Sequence, residues 1–206
     1  MGICMGLRTV TDGTIERLIR DPRLVEIMEV DDPERIEELL NASSQASNRA
    51  GWFSRILNRY TGVPNGPLPA DAAEVGRGEN EGVWVSVDKA WGAIDFLLQR
   101  TPRGKAWPAC FLSAGGQTIS SSGGVTWALV SKKVREVAAF LAPIEPDSLR
   151  NLFDRAAMRK AKVYPSITWE RDDPEDVEYV LNNYYDLRTY MGDAARRGVG
   201  TLISRY

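Results

Sequence analysis

The segment from Val85 to Arg100 constrains the fold of this chain more than any other. A short apolar run continues there into a helical pattern, with apolar residues at spacings of three, three and one: Trp91, Ile94, Leu97 and Leu98. This periodicity predicts one buried face of an amphipathic helix. Ser86 or Asp88 is predicted to cap its N-terminus, because either side chain can accept hydrogen bonds from the first free N–H groups.

Elsewhere in the chain, apolar patterns predict strands interspersed with helices. Strand patterns occur at 2–10, 109–112, 125–130 and 201–206. Asp173-Pro174 starts the longest predicted helix and Gly198 ends it, since Asp is a good N-cap and Gly suits a helix end. Strands and helices do not alternate one by one, as they would in a doubly wound sheet. We therefore expect an α+β fold, with a small mixed or antiparallel sheet packed against several helices, including a long C-terminal helix.

The length and local composition bear on domain organisation. At 206 residues the chain fits one domain, which we predict to span residues 1–206. Residues 62–82 are rich in glycine and proline and predict an irregular loop or insertion. The polar stretch from Gln117 to Ser122 lies between two glycine pairs, and it predicts a hairpin-like connection. A phosphate-binding loop is less consistent with it, because no Gly-Lys-Ser/Thr ending follows.

The absence of histidine excludes several kinds of chemistry. The sequence contains no His, which removes Ser-His-Asp and Cys-His catalysis and every His-containing metal site. Any reaction would have to rest on carboxylates, lysine, tyrosine or cysteine. No catalytic residue, cofactor or metal ligand is predicted, and we lean against an enzyme.

Charge and cysteine content restrict the partners and the compartment. The formal net charge of −2 provides no positive field for nucleic acid or a membrane surface. Cys4 and Cys110 lie in short apolar segments and suit buried thiols in a reducing compartment. No apolar run is long enough to span a bilayer, and no targeting pattern opens the chain. We expect a cytoplasmic protein that binds neither nucleic acid nor membrane.

An ordered set of short motifs resembles a known family. These are Asp88-Lys89-Ala90-Trp91 with Phe96-Leu97-Leu98, then Gly115-Gly116, and finally Val163-Tyr164-Pro165 with Trp169. Together with the opening strand and the long last helix, they resemble the YfbM-like family, small bacterial proteins of unknown function. The resemblance covers nearly the whole chain. It implies an α+β domain and no established reaction, cofactor or substrate.

One departure from the family pattern weighs against catalysis. Members often carry histidines in the helix that follows the Asp-Lys-Ala-Trp motif, where this sequence has Gly92 and Asp95. If those histidines act in relatives, this chain lacks them. The resemblance therefore transfers no active site.

Five residues are candidates for contact with a ligand or partner. Asp88 and Lys89 lie at a predicted helix start, where helix capping and solvation are the simpler roles. Tyr164 and Trp169 lie in one connector and could line a pocket or simply form a small core. Tyr184, Tyr185 and Tyr190 cannot all face the core, because neighbouring helical positions differ by about 100°. Tyr185 is the predicted surface contact among them.

Two functions remain open from the sequence. The first is a non-catalytic binding protein that acts through a protein partner, with an immunity or antitoxin-type protein as one version. The alternative is a small-molecule-binding domain or weak enzyme, with a pocket near Asp88, the Gly115-Gly116 turn, Tyr164 and Trp169. The sequence does not predict the oligomeric state.

Overall fold

The computed structural model describes residues 2–30, 32–49, 66–107, 116–121, 124–171 and 173–206. Within them lies one five-stranded sheet. Its strands are β1 (Met5–Val10), β2 (Trp84–Asp88), β3 (Gln117–Ser121), β4 (Gly124–Leu129) and β5 (Gly200–Arg205). The order across the sheet is β2-β1-β5-β4-β3, and every neighbouring pair is antiparallel. The predicted α+β fold is confirmed, with the antiparallel form of the sheet.

The polar stretch predicted as a connection proves to be a strand. Gln117 to Ser121 pairs with β4 along its length, from Gln117 opposite Ala128 to Ser121 opposite Gly124. Its place at the sheet edge explains the polar sequence, because only Ile119 is buried there. The strand predicted at 109–112, together with Cys110 and Gly115, lies outside the described residues.

Eight α-helices occur in the described part of the chain. They are α1 (Asp12–Arg20), α2 (Leu24–Met28), α3 (Pro33–Arg49), α4 (Trp91–Arg100), α5 (Ser131–Leu141), α6 (Pro146–Arg150), α7 (Arg155–Lys160) and α8 (Glu175–Arg197). The predicted end of α8 at Gly198 is confirmed, whereas Pro174 and not Asp173 occupies the N-cap position at its start. The Asp173 carboxylate accepts from the Glu175 N–H at 3.0 Å, and Gly198 takes the left-handed conformation at φ +69°. None of these helices combines the length and apolar character that a bilayer crossing needs.

The sheet separates two apolar cores. Strand alternation places Met5, Leu7 and Ile203 on one face, where they pack against α4, α5 and α8. Val10 and Leu202 lie on the other face and pack against α1 and α2. The first face has the larger core. On the second face, α1 and α2 pack near Val10, and the buried cluster extends across the sheet to Leu202, Ala128 and Ile119. Trp84 and Tyr206 remain exposed beyond this cluster.

The start of α4 differs from the prediction. Ser86 belongs to β2, and Asp88 ends that strand opposite Met5, so the helix begins only at Trp91 with no side-chain cap. Strand pairing therefore takes the two residues that were expected to cap the helix. Ile94, Leu97 and Leu98 are buried as their spacing predicts, whereas Trp91 is half-buried at the margin of the core.

The glycine- and proline-rich segment is described from residue 66 onwards. It follows turns and one short 3₁₀ helix, Ala72–Glu74, and Ala72 and Val75 are buried in the core under α1 and α2. Residues 62–65 lie outside the described part. The single domain and the insertion at 62–82 stay predictions.

Candidate functional site

Asp88 lies at the centre of a polar cluster beside the end of β2. One carboxylate oxygen accepts from the Cys4 thiol at 2.8 Å, and the other accepts from the Tyr179 hydroxyl at 2.8 Å. The Tyr179 oxygen in turn accepts the Lys89 backbone N–H at 3.1 Å. Asp88 has a left-handed φ of +41°, a conformation that Asp tolerates better than most residues. The cluster thus ties together β1, β2 and α8.

The electrostatics of this cluster favour a structural role. The hydrogen bond from Cys4, together with those from Tyr179 and the nearby Lys89 charge, lowers the pKa of the Asp88 carboxyl. The same hydrogen bond to Asp88, with partial burial, raises the pKa of the Cys4 thiol. Burial and Asp88 raise the pKa of Tyr179. A protonated thiol is a poor nucleophile, so the arrangement stabilises an ionised carboxylate without preparing a reactive group.

Tyr164 and Trp91 hold the backbone near the start of β1. Their rings stack with centroids 4.9 Å apart and planes 20° apart. The Tyr164 hydroxyl accepts the Ile3 N–H, and the Trp91 indole N–H donates to the Ile3 carbonyl at 3.2 Å. Both rings therefore have partners within the chain. Lys89 is half-buried, and its side chain passes close to Gly2.

Trp169 and Tyr185 lie in opposite environments. Trp169 is 1% exposed and donates its indole N–H to the Val163 carbonyl at 2.8 Å. A contact at Trp169 would require the core to open, so we assign it to the core and not to a ligand site. Tyr185 is 56% exposed, whereas Tyr184 and Tyr190 are buried, as the helical spacing predicts. The structure thus brings Asp88, Lys89 and Tyr164 to one end of the sheet but does not add Trp169 to an accessible pocket with them.

The two positions that depart from the family pattern have structural roles. A Cβ at Gly92 would lie 2.5 Å from the Tyr164 carbonyl oxygen, so only glycine lets α4 approach this segment so closely. The Asp95 carboxylate accepts from the Trp107 indole N–H at 2.6 Å and from the Gln99 amide at 2.8 Å. Burial raises the pKa of Asp95. Among the described residues, no group of three or more Cys, Asp or Glu side chains is placed to hold a metal ion.

A second candidate site lies on the part of the sheet that α1 and α2 leave uncovered. Gly6 pairs with Ser86 on one side and with Ser204 on the other, and Ser204 pairs with Thr126. Directly paired residues point to the same face, so a row of small residues crosses four strands. A depression of about 650 Å³ lies over this row. We call it the concave sheet face; it is lined by Gly6, Arg8, Glu29, Gly82, Trp84, Ser121, Gly124, Val125, Thr126, Ser204, Arg205 and Tyr206.

Two aromatic rings border the concave sheet face. Trp84 is 56% and Tyr206 61% exposed, and their ring centroids are 6.4 Å apart. Trp84 lies over Gly6, where a Cβ would be 2.8 Å from the indole nitrogen. The Tyr206 hydroxyl is 3.0 Å from the Ser86 hydroxyl, which anchors the ring across β1. Both rings are thus positioned by the strands and remain exposed to solvent.

Two charged side chains lie on the same face beside these rings, and one of them, Arg8, is directly paired with Trp84. Arg8 donates to the Met28 carbonyl at the end of α2, at 2.5 Å. The next residue, Glu29, accepts from the Ser204 hydroxyl at 3.4 Å. Glu29 is exposed as a residue, but partial desolvation of its carboxylate, with the Glu26 charge nearby, raises its pKa, and the Ser204 hydrogen bond and the Arg8 charge oppose that increase. The face therefore combines aromatic rings with a partly desolvated acid.

The sequence prediction missed the residues of this face. Trp84 lies one residue before the segment from Val85 to Arg100, and the pattern of the last strand does not indicate which of its faces is exposed. One signal was available, because Trp84 and Ser86 alternate with Val85 and Val87 as in a half-buried strand. The pattern shows that Trp84 points away from the larger core. It does not show that the face remains uncovered.

These observations define an α+β protein with an antiparallel sheet, a helical layer on one face and a concave, aromatic-lined area on the other. The chain belongs to the family described as Domain of unknown function (DUF1877), whose model matches residues 1–204. The crystal structure of YfbM from Escherichia coli, a protein of unknown function, aligns with a TM-score of 0.52 over 98% of this chain and 99% of that chain. The two sequences are 12% identical, so this likeness shows the fold alone. The predicted family is confirmed, and no curated protein matches the chain.

Proposed function

We propose that this chain is a non-catalytic binding protein that acts through a protein partner held on the concave sheet face. The observation that carries the proposal is the pair of exposed rings, Trp84 and Tyr206, beside a depression of about 650 Å³. Tyr and Trp in contact with a concave surface are typical of the residues that dominate protein–protein binding energy. Single exposed apolar residues are common on protein surfaces, but grouped rings beside a depression are not.

The polar cluster supports the non-catalytic part of the proposal. Both oxygens of Asp88 already accept hydrogen bonds, and the neighbouring Cys4 thiol is held in its protonated form. A catalytic group needs a free lone pair or proton directed at the substrate. In this cluster the Cys4 and Tyr179 protons are directed at Asp88, and these hydrogen bonds join strand and helix.

A small-molecule-binding domain or weak enzyme is the second candidate. The volume of the depression favours it, since pockets for small ligands commonly measure about 300–1,000 Å³. The predicted pocket near Asp88, Tyr164 and Trp169 receives less support. Asp88 and Tyr164 make hydrogen bonds within the chain, and Trp169 is buried in the core. A small ligand would therefore bind at the concave sheet face.

The partner is best sought by site-specific cross-linking in the bacterium that encodes the chain. A photoreactive amino acid replaces Trp84 in one variant and Tyr185 in a second, because the two side chains are equally exposed and the second is the contact predicted from the sequence. A captured protein counts only if it binds again when both components are purified. We expect Trp84→Ala to weaken that complex by about 30-fold, which corresponds to about 2 kcal/mol, and Tyr185→Ala to change it less than twofold.

The reverse result would place the partner on a different surface of the protein. If Tyr185→Ala weakens the complex and Trp84→Ala does not, the partner binds α8 instead of the sheet. If neither position yields a partner that binds after purification, the protein-partner function is wrong. The immunity or antitoxin version has its own test, in which the purified chain abolishes the activity of a captured toxin and Trp84→Ala restores it.

A further inference from the structure

The carboxylate of Glu29 and the ring of Trp84 lie over adjacent strands of the concave sheet face. Glu29 contacts Ser204 on β5, and Trp84 covers Gly6 on β1. Ser204 and Gly6 are paired, so their backbones lie about 4.8 Å apart. One side chain of a partner can therefore contact the carboxylate and the ring together.

The Glu29 carboxylate and the two exposed rings favour a cation as that side chain, whereas the two arginines that line the depression make contacts within the chain. The Arg8 guanidinium donates to the Met28 carbonyl, at the end of α2. The Arg205 guanidinium lies over the rings of Trp91 and Trp127, which pack against the core on the other face of the sheet. Glu29 makes a long hydrogen bond to the neutral Ser204 hydroxyl, and the Arg8 charge also acts on its carboxylate. Aromatic faces attract cations through their quadrupole, and a partly desolvated carboxylate gains from a cationic partner.

We propose that the concave sheet face receives an arginine side chain of the protein partner, with its guanidinium against Trp84 and Tyr206 and paired with Glu29. Arginine suits this site better than lysine, because its planar group stacks on rings and forms two parallel hydrogen bonds with a carboxylate. The inference rests on the proposed function for the source of the arginine.

The chemistry is testable without the partner. The probes are N-acetylarginine methylamide and its neutral isostere N-acetylcitrulline methylamide, titrated into the full ¹⁵N-labelled chain while the Trp84 indole resonance is followed by NMR. The Trp84→Phe variant identifies that resonance among the six tryptophans. We expect the arginine probe to bind about tenfold more tightly than the citrulline probe. We expect Glu29→Gln to lower the affinity of the chain for the arginine probe about tenfold. Glu170→Gln carries the same charge change on an exposed residue outside this face and leaves the affinity unchanged.

Equal affinity for the two probes, or an unchanged affinity in Glu29→Gln, would overturn the inference while leaving the proposed function intact. With a purified partner in hand, each arginine of the cross-linked segment is replaced by glutamine in wild-type and Glu29→Gln backgrounds. One replacement should weaken the wild-type complex about tenfold and the Glu29→Gln complex less than twofold. If the probe preference holds but no protein partner exists, the proposed function fails and the arginine has another source, so the inference as stated fails with it.

Discussion

A double-mutant cycle between Asp88 and Tyr179 would show whether the polar cluster is structural. Asp88→Asn keeps the shape of the side chain, and asparagine accommodates the left-handed φ of +41°. It replaces two acceptor oxygens with one oxygen and one amide group. Because both oxygens accept from donors, either the Cys4 thiol or the Tyr179 hydroxyl loses its acceptor. Tyr179→Phe removes a donor to Asp88 and the acceptor of the Lys89 N–H.

The magnitude follows from these hydrogen bonds. A hydrogen bond to a charged group contributes about 1.5–3 kcal/mol, and the half-buried position of Asp88 argues for the lower end. We expect each single variant to lose about 1–2 kcal/mol of unfolding free energy. Since Tyr179→Phe removes the Tyr179–Asp88 hydrogen bond and Asp88→Asn removes it or deprives it of the carboxylate charge, the double variant should lose about 1 kcal/mol less than the sum. For a chain of this length, each kcal/mol corresponds to a melting shift of about 2–4 °C.

The assay is urea unfolding of the four proteins at neutral pH, with unchanged m-values as the sign of comparable unfolding. Tyr185→Phe is the matched control, because this tyrosine lies on the same helix and is exposed. Its effect should remain within about 0.5 kcal/mol. Additive losses for Asp88→Asn and Tyr179→Phe, or a stable Asp88→Asn variant, would refute the reasoning and return Asp88 to the candidates for ligand contact.

Three further predictions concern pH and two glycines. The pKa of Asp88 is lowered in the folded state, so the ionised carboxylate stabilises the fold at neutral pH. This stabilisation is lost as the pH falls from the unfolded pKa of about 3.9 through the folded value. The stability difference between wild type and Asp88→Asn should therefore shrink over that range in urea titrations. Gly92→Ala should lose about 1–3 kcal/mol in the same assay, although alanine favours helices, because the new Cβ meets the Tyr164 backbone at 2.5 Å; a gain in stability would contradict this packing. Gly6→Ala should cost less than about 1 kcal/mol of unfolding free energy, since the exposed Trp84 ring can move away from the new Cβ. The same variant should lower the affinity for the arginine probe several-fold, as measured by NMR. Unchanged affinity would show that binding does not depend on the position of the ring over Gly6.

Local patterns in the sequence predicted most of the helices. The spacing of Ile94, Leu97 and Leu98 identified the buried face of α4, and Asp173-Pro174 and Gly198 identified the two ends of α8. Such signals depend on residues within one or two helical turns, so they can be read without knowledge of the fold. The absence of histidine likewise limits the chemistry whatever the fold is.

Strand assignments were less complete because pairing involves distant residues. Gln117 to Ser121 is polar and forms a strand only because β4 supplies its hydrogen bonds. Ser86 and Asp88 carry side chains that suit a helix cap, yet pairing with β1 draws them into β2. The competing interaction in each case lies on another strand, so no local pattern reveals it.

The α+β class, the family resemblance, the main helices and the exclusion of histidine chemistry follow from the amino-acid sequence. The location of the proposed binding site depends on tertiary packing, because the concave sheet face joins residues from both ends of the chain and from its middle, such as Gly6, Trp84 and Ser204. Alternation shows that a strand has two faces, but helices packed elsewhere in the chain determine which of them is covered. Here α1 and α2 cover part of one face, and Trp84 and Tyr206 remain exposed on the same face.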